Sequence, residues 1–177
     1  KSHTANAYSD PGFVDRDSSQ LALKVQYFGD TYELTSITSF NQEELQELVD
    51  FDATPLNVAP QEVDQESSQA SQEIRFNSVH NGFGTLENQL KWVVGLYYFQ
   101  DEAERLDGSP YGNDSLLYPR GFDGVLSTEY LVEIETDSYA LFGQSTYTLS
   151  EHANLTFGLR YTLDQKDYSY LATSNNN

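Results

Sequence analysis

The sequence predicts an all-β protein built from antiparallel, up-and-down strands. The main observation is the alternation of apolar and polar residues, because successive side chains of a strand point to opposite faces. The alternation is clearest in residues 155–164, where one face carries Leu155, Phe157, Leu159, Tyr161 and Leu163. The second observation is an aromatic content of 14%, with 13 Tyr and 10 Phe. Disordered acidic chains are usually poor in aromatic residues, so this chain is expected to be ordered.

Charge and composition exclude several classes of function. The 177 residues contain 9 Lys or Arg and 28 Asp or Glu, which gives a net charge of −19. Nucleic acids and anionic membrane surfaces need a basic face, so neither is an expected partner. The chain has no Cys, which removes disulfides and thiolate chemistry. No G-x-S-x-G or other catalytic constellation occurs, and the sequence therefore predicts a protein that is not an enzyme.

Six strands and one short helix are predicted. The strands are expected near residues 19–28, 31–42, 70–79, 90–103, 129–149 and 154–170. In residues 43–51 the apolar side chains Leu45, Leu48 and Val49 have the i, i+3, i+4 spacing of a helix. Acidic residues at the start of this segment suit a first helical turn, although an isolated helix of this length is marginal.

The connections between these strands alternate in length. Tight turns are predicted at Gly29-Asp30 and at residues 151–153, whereas residues 1–18, 43–69 and 104–128 are expected to be long loops. Short turns at one end and long loops at the other are typical of a transmembrane β-barrel. We therefore interpret residues 1–177 as a single segment of a barrel domain.

Two hairpins resemble those of TonB-dependent outer-membrane receptors. The first combines QEIRFNS at 72–78 with WVVGLYYFQDE at 92–102, and the second combines SYALFGQSTY at 138–147 with LTFGLRYT at 155–162. Residues 31–40 are similar to an earlier hairpin of the family. The resemblance implies a bacterial outer-membrane barrel of roughly 22 strands with a plug in its lumen. It also implies uptake of siderophores, cobalamin or sugars, driven by an inner-membrane complex.

The sequence departs from this family in two respects. No plug precedes the strands, and no energy-coupling box is present. About six strands also cannot close, because the smallest such barrels use about eight. We expect a barrel segment that is not transport-competent alone. Its expected partners are the remaining barrel strands and plug of a full-length receptor, together with outer-membrane lipid.

Two alternatives remain open at this point. The segment could pair its edges with identical copies and form a cross-β stacked, extracellular fibril, since residues 92–99 combine high β-propensity with no charge. Aligned like charges would oppose such stacking. The third interpretation is a soluble β-sandwich that binds carbohydrate through its aromatic residues.

Two groups of residues are candidate sites. The acidic loop could attract Ca²⁺ or a cationic ligand through Glu43, Glu44, Glu47, Asp50 and Asp52. These residues lack the spacing of a calcium loop, which favours a solvated surface and no required cofactor. The second group could form an interfacial aromatic girdle, or a packing ladder in a fibril, and comprises Trp92, Tyr97, Tyr98, Phe99, Tyr139, Phe142, Tyr147, Phe157 and Tyr161.

Overall fold

A computed structural model describes residues 11–50, 54–87, 89–116 and 127–174, which form one antiparallel sheet. Its six strands lie side by side in chain order. Their bounds are β1 Phe13–Phe28, β2 Tyr32–Asp50, β3 Pro60–Ser78, β4 Leu90–Pro110, β5 Ser127–Ser150 and β6 Ala153–Ser174. The predicted all-β, up-and-down architecture is confirmed.

The strands extend further toward the long-loop end than the sequence patterns predicted. The helix predicted at 43–51 is wrong, because residues 43–50 continue β2. The loops predicted at 43–69 and 104–128 are also shorter, since residues 60–69 belong to β3 and residues 104–110 to β4. Residues 13–18, predicted as loop, begin β1, while residues 1–10 lie outside the described part of the chain. Most side chains in these extensions are polar on both faces, so the extensions lack the regular apolar alternation that marks a strand.

The predicted segregation of loop lengths holds only in part, because the 79–89 connection at one end of the sheet is longer than the 51–59 connection at the other. Residues 29–31, 79–89 and 151–152 connect the strands at one end, here called the short-turn end. The 79–89 turn is fastened to its neighbours, because the Phe83 N–H donates to the Thr31 carbonyl at 3.0 Å. The Trp92 indole N–H donates to the Phe83 carbonyl, also at 3.0 Å. Residues 51–59 and 111–126 connect strands at the other, long-loop end.

The two long-loop connections touch each other. The Asn57 N–H donates to the Asp114 carboxylate at 2.8 Å, and the Asp114 N–H donates to the Asn57 carbonyl at 2.9 Å. A Cβ atom at Gly112 would lie 2.1 Å from the Asn57 carbonyl oxygen, so this close approach requires glycine. The pairing of β3 with β4 is thereby prolonged into the loops.

The sheet is a single layer without a hydrophobic core. Among the described residues, the buried apolar side chains are Leu45, Val63 and Ala140, and no side chain is less than 2% exposed. A sandwich would bury the inner faces of two sheets, so the soluble sandwich interpretation is wrong. Within the described ranges, no helix is long and apolar enough to cross a membrane.

The two faces of the sheet differ in exposure. Along β4, Val94 and Leu96 are exposed, whereas Gly95 between them is buried. The same alternation occurs along β2 and β3. The sheet therefore curves, with the Gly95 side as its concave inner face and the Leu96 side as its convex outer face. Residues directly opposite each other on paired strands share a face, so the register assigns every strand residue to one of them.

Candidate functional site

The outer face carries an apolar band next to the short-turn end. The band covers residues 21–27, 32–40, 70–78, 90–98, 139–147 and 155–163 of the six successive strands. None of the outer-face residues in these ranges is charged. One register row of the band includes Val25, Ile74, Leu96 and Leu141. A continuous uncharged surface across six strands is therefore left without a protein partner in the described sheet.

The height of the band matches the hydrocarbon region of an outer membrane. In five of the six strands it spans nine residues, within the ~9–11 that a transmembrane strand uses. At ~3.3 Å per residue and a tilt of ~40°, nine residues give a band about 23 Å tall, against ~25 Å for known barrels. The band is thus the right size for the lipid-facing surface of a barrel wall.

Six of the nine predicted girdle residues lie on the outer face, mostly at the edges of the band. Tyr98 and Tyr139 mark the edge toward the long loops, and their ring centroids are 4.9 Å apart. The remaining four are Trp92, Tyr147 and Phe157 toward the short turns and Tyr161 one outer-face position inside the edge toward the long loops. Tyr97, Phe99 and Phe142 point instead to the inner face. The girdle role stays a prediction, and the placement that it requires is present for the six outer residues.

Beyond the band, toward the long loops, the outer face becomes strongly acidic. Five acids stand directly opposite one another on five consecutive strands, and we call them the acid ladder: Asp17, Glu44, Glu66, Glu104 and Glu133. The outer face of the described strands carries no Lys or Arg. Like charges directly opposite each other destabilise a sheet. Water is the environment that best tolerates such a surface, so the ladder marks where the uncharged band has ended.

The predicted cation-binding residues are divided between the two faces. Alternation along β2 places Glu43 and Glu47 on the inner face and Glu44 and Asp50 on the outer face, while Asp52 lies outside the described residues. The Glu43 carboxylate pairs with Arg16 at 3.7 Å. Among the described positions, no group of three His, Asp or Glu side chains could hold a metal ion.

All Lys and Arg side chains in the described strands lie on the inner face: Arg16, Lys24, Arg75, Lys91, Arg105, Arg160 and Lys166. Beyond the band, Arg105 donates to both oxygens of Asp107 at 2.9 Å. This hydrogen bonding raises the pKa of Arg105 above its ordinary value. This separation of the cations onto one face was not predicted from the sequence. Alternation along the strand does indicate it, because Lys24 lies between Leu23 and Val25 and therefore points to the face opposite theirs.

An aromatic cluster stiffens the inner face at the depth of the band. The Phe142 ring lies across Gly95, where an added Cβ would be 2.4 Å from the Phe142 Cζ atom. The Arg160 guanidinium lies over both the Phe142 and Tyr97 rings, with its Cζ atom 5.8 Å and 5.6 Å from their centroids. Gly95 therefore leaves the space that this stack of side chains fills.

An uncharged outer face and a charged inner face define the class of this protein: a segment of an outer-membrane-type β-barrel wall. A family model described as "TonB dependent receptor-like, beta-barrel" matches residues 2–177. The chain belongs to this family, which confirms the resemblance found in the sequence.

A solved structure shows the same fold. It is the crystal structure of the ferric yersiniabactin uptake receptor FyuA from Yersinia pestis, with a TM-score of 0.69 and 17% sequence identity. The match covers 95% of this chain and 24% of that receptor. The chain therefore spans about a quarter of the length of the receptor that it is similar to.

Proposed function

We propose that this chain forms part of the wall of a bacterial outer-membrane receptor that imports a scarce nutrient. The observation that carries the proposal is the separation of charge, since every outer-face position in the band is uncharged and every described strand cation is on the inner face. Lipid requires the first property, and a water-filled or protein-filled lumen accommodates the second. Family membership supports a role in transport.

The fully exposed edge strands support a role within a larger assembly. Every residue of β1 and of β6 is exposed. Unpaired backbone groups cost several kcal/mol each in lipid, so further strands must pair with both edges of a membrane-embedded wall. The remaining strands of the receptor would supply them, and the segment alone would not transport.

Ferric siderophores are the substrate class that we favour, ahead of cobalamin and sugars. The support is the fold shared with a ferric-chelate receptor. The test is uptake of radiolabelled ferric siderophore, cobalamin and oligosaccharide by cells that carry the receptor containing this segment as their sole importer. Saturable iron uptake that needs the inner-membrane proton gradient is expected. Recovery of the receptor in the inner membrane would contradict the wall assignment, whereas uptake of another solute would contradict only the substrate class.

Self-assembly into a fibril remains the second candidate, because the same exposed edges could pair with identical copies. The purified 177-residue chain should then sediment without detergent and diffract at ~4.7–4.8 Å. A chain that stays dispersed in detergent and gives no such reflection would exclude this second function.

A further inference from the structure

The outer face carries an apolar groove at the edge of the band that lies toward the long loops. We call it the boundary groove, and its volume of about 410 Å³ is in the range of small-molecule sites. Its main outer-face lining is Ile74, Leu96, Tyr98, Tyr139, Leu141 and Leu163. The three leucines are each more than half exposed. An exposed apolar surface of this shape marks a contact with a membrane, a ligand or a partner.

The amide side chain in the boundary groove is satisfied by the wall itself. Gln72 lies directly opposite Tyr98 in the register, and its amide nitrogen donates to the Ser36 hydroxyl at 2.9 Å. Its amide oxygen accepts from the Thr38 hydroxyl. The groove therefore presents a mainly apolar surface, which fits hydrocarbon.

Negative charge begins where the boundary groove ends. Asp137 is two residues from Tyr139 on β5 and lies on the same outer face, where it accepts a hydrogen bond from the Tyr98 hydroxyl at 2.9 Å. Glu102 and Glu135 face each other in the next register row toward the long loops. No described Lys, Arg or His nitrogen lies within 4.0 Å of Asp137. Its carboxylate is thus left without a cation by the wall.

The groove and this carboxylate together define an amphipathic occupant. Four residues of ~3.3 Å separate Leu141 from Asp137, which is about 13 Å along the strand. A soluble amine would leave the groove uncovered, and a hydrocarbon without a headgroup would leave the carboxylate unpaired. An anionic headgroup would be repelled, since the described outer face offers no cation to bind it. An ammonium group, in contrast, donates charge-assisted hydrogen bonds to a carboxylate.

We propose that the boundary groove binds a membrane lipid whose headgroup carries a free amine. A hydrocarbon chain of the lipid lies in the groove, and its ammonium group pairs with Asp137. The inference rests on the proposed function, which places lipid against the outer face, and adds selection of that lipid by its headgroup.

Photo-cross-linking tests this proposal in the receptor that contains this segment, reconstituted into phosphatidylcholine vesicles. Two probes carry the same diazirine-bearing acyl chain, one on phosphatidylethanolamine and one on phosphatidylglycerol, at equal mole fraction. After illumination, adducts on the groove residues of β4, β5 and β6 would be quantified by mass spectrometry. The test variant Asp137→Asn removes the charge but keeps an acceptor for the Tyr98 hydroxyl. The matched control Glu129→Gln removes an outer-face charge eight residues away on β5.

The parent and Glu129→Gln should label the groove roughly three- to tenfold more with the ethanolamine probe than with the glycerol probe. The internal reference is the same ratio at the opposite edge of the band, around Trp92 and Phe157, which reports the general effect of an acidic protein on the two probes. Asp137→Asn should lower the ratio in the groove to this reference value.

Equal ratios at the two edges in the parent, or a groove ratio unchanged by Asp137→Asn, would overturn the inference. Labelling around Trp92 without labelling of the groove would overturn it too, because a protein segment would then cover the groove. Absence of label along the whole band would instead contradict the proposed function, so the two failures are distinguishable.

Discussion

An arginine placed at the centre of the apolar band should destabilise the receptor much more than one placed nearby on the inner face. Val94 on β4 lies opposite Gly143 on β5, and Gln144 follows Gly143 on the opposite face. Val94 and Gln144 are both exposed in the isolated sheet. Protein packing alone therefore predicts similar, small effects for Val94→Arg and Gln144→Arg. Only a hydrocarbon layer against the outer face distinguishes them.

The expected difference follows from the depth of Val94. It lies in the middle of the nine band residues of β4, with Gly143 directly opposite on β5. Arginine on the lipid face at the bilayer midplane costs about 2–4 kcal/mol. At ~1.4 kcal/mol per tenfold change, the unfolding equilibrium constant should rise roughly 30- to 700-fold for Val94→Arg. Gln144→Arg should change it by less than about threefold, since surface substitutions usually stay within ~0.5 kcal/mol.

The assay is urea-induced unfolding of the receptor that contains this segment, reconstituted into phospholipid vesicles. The fraction folded would be followed by protease protection, and the two variants compared with the parent at equal lipid-to-protein ratio. Equal losses of unfolding free energy in the two variants would refute the assignment of lipid to the outer face. A larger loss for Gln144→Arg would reverse the two faces.

Three other substitutions test separate features of the wall by the same unfolding measurement. Gly95→Ala should lower the free energy of unfolding by about 1–3 kcal/mol, because the added Cβ would lie 2.4 Å from an aromatic ring. Gly108→Ala is the control and should be nearly neutral, since its Cβ would have no contact under 3.8 Å. Equal effects of the two substitutions would contradict the packing described. Glu104→Gln should raise the free energy of unfolding by a few tenths to about 1 kcal/mol at low salt, because it removes one of the like charges in the acid ladder. The gain should become smaller at higher salt, since salt screens the repulsion between the remaining acids. A gain unchanged in 1 M salt would show that like-charge repulsion is not its cause. Trp92→Phe removes the indole N–H that donates to the Phe83 carbonyl. The free energy of unfolding should fall by about 0.5–1.5 kcal/mol, and the 79–89 turn should be cleaved faster by protease. An unchanged cleavage rate would show that this hydrogen bond does not hold the turn in place.

The part of the sheet that carries the apolar band could be predicted from the sequence because its outer face is uncharged throughout and alternates with a more polar inner face. Leu155 to Leu163 alternates without interruption, and its strand lies where the alternation placed it. The outer extensions of the strands could not be predicted in the same way. In water both faces of a strand can be polar. The alternation of apolar and polar residues is therefore not visible in this part of β2, where polar residues occupy both faces, for example Glu43, Glu44 and Gln46. The chance spacing of Leu45, Leu48 and Val49 then resembled a helix.

The functional surfaces were predictable only in part. Candidate girdle residues can be recognised in the sequence because they are aromatic. Their orientation cannot, because Tyr97 and Tyr98 are neighbours in the chain and point to opposite faces of the sheet. Assigning each to a face needs the register, which pairing with β3 and β5 fixes. The inner-face cations were missed for a related reason: they are scattered over the sequence from Arg16 to Lys166 and become one surface only when the strands align.

The length of β5 gives the wall a tall rim. Twelve residues, 127–138, rise beyond the apolar band before the chain turns. At ~3.3 Å per residue and a tilt of ~40°, they extend about 30 Å above the apolar band. Under the proposed function, a solute caught at that rim would still have to descend a shaft as deep as the bilayer core is thick. The proposed receptor would then select its solute in two stages, first at the entrance and again along the shaft.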